Sequence, residues 1–218
     1  MALLSLPSWL KATKRKPGII ALALTSILAC AARPAYAGGG KVLPPTAKPS
    51  GYTLDDMAEE LAYFTTSGND LDFYPDTPFQ ILYVDLNTGT NTFNVTAGTR
   101  FFVPIAFADD SPPIFGDFPA DSSTVEAYVF GPDQLGAHDL AIDVDGVSTA
   151  IGPDYLAGPV LAPGLLDGGG SHFIQIGAFL TPLSNGSHTI TIRGTFDGAA
   201  LGDFGGSFEI SYTLNVTS

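Results

Sequence analysis

Ser207-Phe-Glu-Ile-Ser-Tyr-Thr-Leu-Asn-Val216 is the stretch that decides the fold. Polar and apolar residues alternate along it, which is the period of two expected of a strand with one buried face. The stretch from His188 to Thr195 alternates in the same way, with Ile190 and Ile192 on one face. A glycine-rich segment, 197–206, joins the two, so the sequence predicts an antiparallel pair. Because a single pair is marginally stable, further strands must complete a sheet.

Further strand signals follow one another along most of the chain. Residues 79–86 and 90–95 predict a hairpin around Asn87-Thr-Gly89, and 139–144 and 147–151 predict a second one around Asp145-Gly146. The sequence also predicts strands at 101–107, where Pro104 requires a bulge or an edge, and at 171–180.

Two segments between these strands are harder to assign. Residues 123–130 fit either a helix with a Ser123/Glu126 capping box or a strand, and 152–170 is interpreted as a long loop. Strand signals separated by short turns predict a mainly β fold, an antiparallel, jelly-roll-like β-sandwich of seven to nine strands with one N-terminal α-helix.

One helix is predicted between Tyr52 and Gly68. Thr53 can cap its start, acidic residues occupy its first turn, and Gly68 can end it. Its apolar stripe is typical of a helix packed on a sheet and consists of Leu54, Met57, Leu61 and Phe64. Residues 38–51, rich in glycine and proline, are predicted to be a flexible linker, which leaves 52–218 as one β-sandwich domain.

The first 37 residues have the three parts of a secretory signal peptide: basic residues, an apolar run at 19–32, and Ala35-Tyr-Ala37 before a cleavage site. The sequence therefore predicts export to the periplasm, the cell surface or the medium. One alternative is a membrane anchor, although 14 helical residues span only about 21 Å of a roughly 30 Å hydrocarbon core. Another is a lipoprotein acylated at Cys30.

Cleavage after Ala37 would remove the only cysteine and five of the nine basic residues. Disulfides, thiolate catalysis and cysteine-bound metals would then be excluded. The remaining chain would carry four basic and 22 acidic residues, a net charge of −18. Such a surface repels nucleic acid, so metal cations or cationic ligands are the expected counterions, and solubility alone is the simpler explanation.

An aspartate-rich loop, Asp109 to Asp121, is the first candidate site. Its four carboxylates could supply the oxygen ligands that calcium requires, and they are Asp109, Asp110, Asp117 and Asp121. Their spacing matches no defined calcium loop, and aspartate is also common in solvated turns. Calcium is therefore one hypothesis for a cofactor, and an ordinary turn is the other.

Other polar candidates are dispersed. Asp139, Asp143 and Asp145 surround the second predicted turn, and this pattern lacks the final glutamate of an EF-hand. The histidines lie far apart, so only the fold could bring them into one site; they are His138, His172 and His188. No nucleophile elbow, phosphate loop or dinucleotide fingerprint occurs.

Aromatic residues in or near loops form another candidate surface, since their rings can stack on sugars and serve equally well in a core. They are Tyr52, Tyr63, Phe73, Tyr74, Tyr83, Phe115, Phe118 and Tyr155. Asn94, Asn185 and Asn215 begin glycosylation patterns, which matter only in a eukaryotic secretory pathway.

Several motifs in order resemble a group of uncharacterised bacterial secreted proteins. They are the acidic helix, Val95-Thr-Ala-Gly-Thr-Arg-Phe-Phe-Val-Pro104, Ile142-Asp-Val-Asp-Gly146 and Pro182-Leu-Ser-Asn-Gly-Ser-His-Thr-Ile190. The resemblance implies a shared secreted β-sandwich fold and no known activity. Members have tryptophan in the helix and cysteines, whereas the only tryptophan here is Trp9, so no tryptophan-based role carries over.

The sequence therefore supports three functional hypotheses. The first is an exported non-enzymatic protein that binds a glycan or another surface component through its long loops, and it predicts an exposed apolar patch or groove beside 152–170. The second is a glycan-active hydrolase or lyase that uses carboxylates with His172 or His188. The third is a calcium-stabilised structural domain.

Overall fold

A computed structural model describes residues 40–85 and 91–218. The predicted signal peptide, Cys30 and the Asn87-Thr-Gly89 turn lie outside these ranges. Within them are two α-helices, α1 (Leu54–Thr66) and α2 (Val125–Phe130), and nine strands. The strands are β1 (Phe79–Ile81), β2 (Thr92–Thr96), β3 (Arg100–Asp109), β4 (Ala137–Val144), β5 (Val147–Ala150), β6 (Leu156–Leu161), β7 (His172–Leu180), β8 (Gly186–Phe196) and β9 (Gly206–Thr217). Neither described helix is long and apolar enough to cross a membrane.

The strands form two sheets, which makes the fold mainly β as predicted. One sheet has the order β1-β3-β7-β6 and the other has β2-β9-β8-β4-β5. Most neighbours are antiparallel, but β1 runs parallel to β3 and β2 runs parallel to β9. Both sheets are therefore mixed, and the prediction of purely antiparallel sheets is wrong, because each sheet takes an edge strand from the first part of the chain.

The stretch from Ser207 to Val216 lies in β9, which pairs with β8 at the centre of the five-stranded sheet. β8 and β9 are antiparallel over their whole length, with Ile190 opposite Tyr212 and Ile192 opposite Ile210. The predicted Asp145-Gly146 turn is also confirmed, since β4 and β5 pair around it. Both turn residues have positive φ, 51° and 83°, as a tight hairpin turn requires.

The predicted hairpin at 79–95 is wrong. β1 belongs to the four-stranded sheet, whereas β2 belongs to the five-stranded sheet, so the two strands never pair. The chain instead passes from one sheet to the other between them. A local turn signal shows where a chain can reverse, and it does not determine which strand becomes the partner.

Part of the predicted 152–170 loop is a strand. β6 pairs with β7 at the edge of the four-stranded sheet, with an irregularity between Ala157 and Val160. Gly158 and Pro159 lie at this irregularity, and they conceal the alternation that would have indicated a strand. Pro104 likewise lies at the irregularity between β3 and β7, which confirms the predicted bulge.

Helix α1 confirms its prediction and covers the outer face of the four-stranded sheet. Thr53 and Asp56 form a capping box, in which the Asp56 N–H donates to Thr53 Oγ1 at 3.1 Å and the Thr53 N–H donates to Asp56 Oδ2 at 2.7 Å. The 123–130 segment, for which the sequence left helix and strand open, contains helix α2. Its N-cap residue is Thr124, which makes no side-chain cap bond, so the proposed Ser123/Glu126 box does not form.

The core has two parts. Apolar residues of both sheets meet in a central cluster, which includes Val103, Ile176, Ile192 and Leu214. A second cluster lies between α1 and the four-stranded sheet, where Met57 and Leu61 meet residues such as Phe102, Phe173 and Phe179. The four-stranded sheet is thus covered on both faces, and its ends position the loops described below.

The segment predicted as a linker contacts the sheet over residues 41–43. The Leu43 N–H donates to the Phe179 carbonyl at 2.8 Å, and the Thr181 N–H donates to the Lys41 carbonyl at 3.0 Å. Val42 forms a bridge with Leu180 and packs against the central core. A partly buried valine and the neighbouring backbone bonds attach this part of the segment to β7.

Candidate functional site

The candidate binding surface lies at the end of the four-stranded sheet where β3 ends and β7 begins. The last residue of β6 and the connection to β7 that follows it, residues 161–171, are together called the leucine loop for Leu161, Leu165 and Leu166. Leu165 is buried, whereas Leu161 is 68% exposed and Leu166 is 46% exposed. Burial of the middle leucine fixes the loop and leaves the other two facing solvent.

Backbone hydrogen bonds within the leucine loop give it a defined shape. The Ala162 N–H donates to the Ser171 carbonyl at 2.8 Å, and the N–H groups of Gly164 and Leu165 both donate to the Gly170 carbonyl. Helix α1 holds the loop from one side: Tyr63 Oη donates to the Pro163 carbonyl at 2.9 Å, and the Leu166 N–H donates to Thr66 Oγ1 at 3.2 Å.

Ser111 holds the leucine loop from the other side. Its buried hydroxyl donates to Asp167 Oδ1 at 2.9 Å and accepts from the Gly170 N–H at 3.0 Å. The approach is close enough to require glycine, because a Cβ at Gly170 would lie 2.5 Å from Asp110 Oδ1 and 2.6 Å from the Ser111 nitrogen. The Gly168-Gly-Gly170 run thus lets the loop pack against the end of β3.

Asp109 and Asp167 form a carboxyl pair beside Ser111. The Ser111 N–H donates to Asp109 Oδ1 at 2.7 Å, and the Ser111 hydroxyl donates to Asp167 Oδ1 at 2.9 Å, so both carboxyls lie at one residue. Burial, reinforced by the charge of Asp167, raises the pKa of Asp109 to about 6, although the bonds from Ser111 oppose this shift. Asp167 Oδ2 is buried and has no hydrogen-bond partner.

Asp110 ties the end of β3 to the start of β7. Its Oδ1 accepts the N–H groups of Ser171 and His172, and its Oδ2 lies 2.8 Å from His172 Nδ1. Burial opposes ionisation of Asp110, but the bonds from His172 and Ser171 hold its pKa below the usual range. The His172 ring is 42% exposed, so this acid–histidine pair faces solvent.

The four aspartates proposed as calcium ligands have separate partners. Asp109 and Asp110 belong to the groups just described, Asp117 bonds with Gln134, and Asp121 accepts from Ser123. No three His, Cys, Asp or Glu side chains in 40–85 and 91–218 are placed to hold a metal ion. Calcium binding by these aspartates stays a prediction.

The second aspartate group is divided among three partners. Asp139 bonds to His138, Asp143 pairs with Arg193, and Asp145 bonds to His188. His138 also lies 3.3 Å from Asp197, and bonds to Asp139 and Asp197 raise its pKa. The two carboxylates contact opposite nitrogens of the His138 ring, so they cannot bind one ion together with it.

His188 lies between an aspartate and a serine, as the histidine of a catalytic triad does, but its hydrogen bonds differ from those of a triad. Its Nδ1 lies 2.7 Å from Asp145 Oδ2, and its Nε2 lies 3.4 Å from Ser184 Oγ. However, Nε2 is closer to the Ser184 carbonyl, at 2.8 Å, and a carbonyl oxygen can only accept, so the hydrogen bond of Nε2 goes to that carbonyl and not to the hydroxyl. The ring is also 1% exposed, which closes it to a substrate.

Most of the candidate aromatic residues serve packing. Tyr74 and Tyr83 contact Phe64 edge to face, Tyr52 contacts Phe79, and Phe118 contacts Tyr128. An apolar cavity of about 10 Å³ between α2 and the sheets, lined in part by Val129 and Leu135, has room for no more than a water molecule.

Sequence reasoning identified Asp109, Asp110 and His172 as candidates but not Ser111 or Asp167. Asp167 is preceded by two leucines and followed by three glycines, and this isolation is the one signal that could have indicated it. No family model, curated protein or solved structure matches this chain.

Proposed function

We propose that this chain is an exported, non-enzymatic binding protein that recognises a glycan or another cell-surface component through the leucine loop, on a jelly-roll-like β-sandwich scaffold. The observation that carries the proposal is the pair of exposed leucines, Leu161 and Leu166, on a loop whose backbone is fixed by hydrogen bonds. A loop ordered before binding loses little conformational entropy when a partner covers it.

The neighbouring loop carries a third exposed apolar residue. Ile114 is exposed three residues after Ser111, which is one of the residues that bond to the leucine loop. The predicted charge of the exported chain is strongly negative, so nucleic acid and anionic membranes are poor partners, whereas a neutral or cationic surface suits the exposed leucines.

Binding of the full chain to insoluble polysaccharides and to bacterial cell envelopes tests the proposal. We expect the double variant Leu161→Ser, Leu166→Ser to bind at least about tenfold more weakly, because each leucine contributes roughly 1 kcal/mol or more when it is covered. Val147→Ser is the matched control, since Val147 is 71% exposed on the edge strand β5 of the other sheet. Equal binding by the double variant and the control would contradict the proposal.

A glycan-active hydrolase or lyase is the second candidate, favoured by the solvent-facing Asp110–His172 pair beside a carboxyl of raised pKa. Against it, Asp109 and Asp167 both accept hydrogen bonds from Ser111. They therefore lie side by side at one residue, whereas a glycosidase places its two carboxyl groups on either side of the scissile bond. Release of new sugar ends from a polysaccharide by the wild type, abolished in His172→Ala, would favour the enzyme over the binding protein.

A further inference from the structure

We propose that the open edge of β2 is a self-association surface, at which two copies of this chain pair their β2 strands antiparallel and join their five-stranded sheets into one. The leucine loop belongs to the other sheet, so the proposal does not depend on what the leucine loop binds.

β2 is an edge strand with unused backbone groups. It pairs with β9 on one side, and no strand within 40–85 and 91–218 pairs with its other side. The Ala97 N–H donates to the Thr217 carbonyl at 2.7 Å, so the odd-numbered residues of this segment direct their backbone groups toward β9. The backbone groups of the even-numbered residues, Thr92, Asn94 and Thr96, therefore face the open edge.

The β2 edge lacks the features that usually protect edge strands, which are charges, proline and irregular pairing. Residues 91–99 contain neither a charged residue nor a proline, and β2 pairs with β9 without a register shift. The edges of the four-stranded sheet are different, because β1 has three residues and β6 is irregular between Ala157 and Val160. Another strand can therefore approach β2 without burying a charge.

The apolar side chains of β2 are only half-buried. β2 and β9 share the sequence Thr-x-Asn-Val-Thr and lie in register. Leu214 and Val216 of β9 are buried, whereas their counterparts on β2, Phe93 and Val95, are partly exposed. The two strands differ in that β9 has a neighbour on each side. A strand added beside β2 would bury the remaining apolar surface of Phe93 and Val95.

The residue pattern of β2 indicates that this strand comes from a second copy. Opposite residues of paired strands lie on the same face, so a twofold axis perpendicular to the sheet must pass through one residue position. With the axis at Asn94, Thr92 lies opposite Thr96 of the second copy and Phe93 lies opposite Val95 of the second copy. Thr–Thr and aromatic–β-branched pairs are favourable cross-strand pairs. β5, the other edge of this sheet, reads Val-Ser-Thr-Ala and has no such centre.

The backbone fits the same axis. Both backbone groups of Asn94 face the open edge, so two copies exchange both hydrogen bonds at the axis. On either side of it, the Thr96 N–H of one copy donates to the Thr92 carbonyl of the other. The Thr96 carbonyl already accepts the Thr99 N–H at 3.2 Å, which ends the new ladder at that residue.

Sedimentation velocity of the full chain in a concentration series from about 1 μM to about 100 μM tests the proposal. We expect the wild type to show a concentration-dependent equilibrium between monomer and dimer. Asn94→Asp keeps the size of the side chain and the oxygen that accepts from Asn215 Nδ2. In the dimer it would place two carboxylates on opposite residues whose Cα atoms lie about 5.5 Å apart. We expect this repulsion to weaken the dimer by about tenfold or more.

Asn215→Asp is the matched control, because it makes the same change in the same motif one strand further from the axis. Its two carboxylates would be three strand spacings apart, about 14 Å, which exceeds the Debye length of about 8 Å at physiological salt. We therefore expect a dimer within about threefold of the wild-type affinity. Asn94→Lys creates the repulsion with positive charges and serves if Asn94→Asp fails to fold. A wild type that stays monomeric, or a dimer affected equally by the changes at Asn94 and Asn215, would overturn the proposal.

Discussion

Two aspartates next to the β4–β5 hairpin make the same bond to a histidine in different surroundings. Asp145 Oδ2 lies 2.7 Å from His188 Nδ1, and Asp139 Oδ2 lies 2.9 Å from His138 Nδ1. Both aspartates have positive φ, 51° and 54°. The His188 ring is buried, whereas Asp139 is 86% exposed. The two contacts differ in burial and in their second partners, because His138 also lies 3.3 Å from Asp197 and Asp145 also accepts the Thr189 N–H at 2.9 Å.

Asp145→Asn should lower the free energy of unfolding by about 2 kcal/mol or more, because it leaves a buried histidine without its carboxylate. Asp139→Asn, which keeps a residue tolerant of positive φ, should change that free energy by less than about 0.5 kcal/mol. Urea denaturation of the two variants at neutral pH measures the difference. Equal losses would mean that the Asp145–His188 contact is no stronger than a surface pair.

Gln175 is the polar residue of the described core that lacks partners. It is 1% exposed on β7, and neither its Oε1 nor its Nε2 has a hydrogen bond. Its neighbours across the sheet are Phe107 and Ala157, both of which belong to or pack against the cluster beneath α1. A buried amide without partners costs about 1–3 kcal/mol.

Gln175→Leu should therefore raise the unfolding temperature by several degrees, as removal of that cost of about 1–3 kcal/mol implies. Gln134→Leu is the control, since the Gln134 amide bonds to Asp117 and its loss should leave stability unchanged or lower. Destabilisation by Gln175→Leu would show that the amide has a partner, such as a bound water.

At the scale of elements, the 109–121 segment is connected to its neighbours through separate carboxylates. Because Asp109, Asp117 and Asp121 bond to different groups, we expect thermal unfolding curves in millimolar calcium and in excess chelator to overlap. Calcium at about 100 times its Kd would instead contribute roughly 2.7 kcal/mol of stability. A shift of that size, lost in an Asp109→Ala, Asp117→Ala double variant, would establish the calcium site that the sequence suggested.

The sequence predicted correctly those elements whose pattern lies within a short stretch of the chain. The alternation in β8 and β9, the Asp145-Gly146 turn and the capped, striped helix α1 all carry their own pattern. Partner choice is not local, so the 79–95 hairpin was predicted wrongly when β1 and β2 joined different sheets. β6 was missed because Gly158 and Pro159 interrupt its pattern.

The same limit applies to the candidate site. The sequence indicates Asp109 and Asp110 because acidic residues cluster there, but the Ser111–Asp167 bond joins residues 56 positions apart. Nothing in the sequence near either residue specifies that contact. Only the register of β3, β7 and β6 brings the leucine loop to the end of β3.

At the scale of the whole molecule, the packed core is separate from the surface proposed for binding. Both faces of the four-stranded sheet are covered, by the second sheet and by α1, and the leucine loop extends from the junction of β6 and β7. The five-stranded sheet has an outer face of hydroxyl and amide side chains that bond to one another, as in Thr191 with Ser211 and Asn94 with Asn215. The exposed leucines therefore distinguish one end of the domain from this polar face.

Hydrogen–deuterium exchange of the full chain, free and bound to bacterial cell envelopes or an insoluble polysaccharide, tests the central claim most directly because it maps the binding surface without choosing it in advance. We expect bound protein to show slower exchange in peptides covering residues 161–171, with β8 and β9 unchanged. Slower exchange on the outer face of the five-stranded sheet, with the leucine loop unaffected, would contradict the claim.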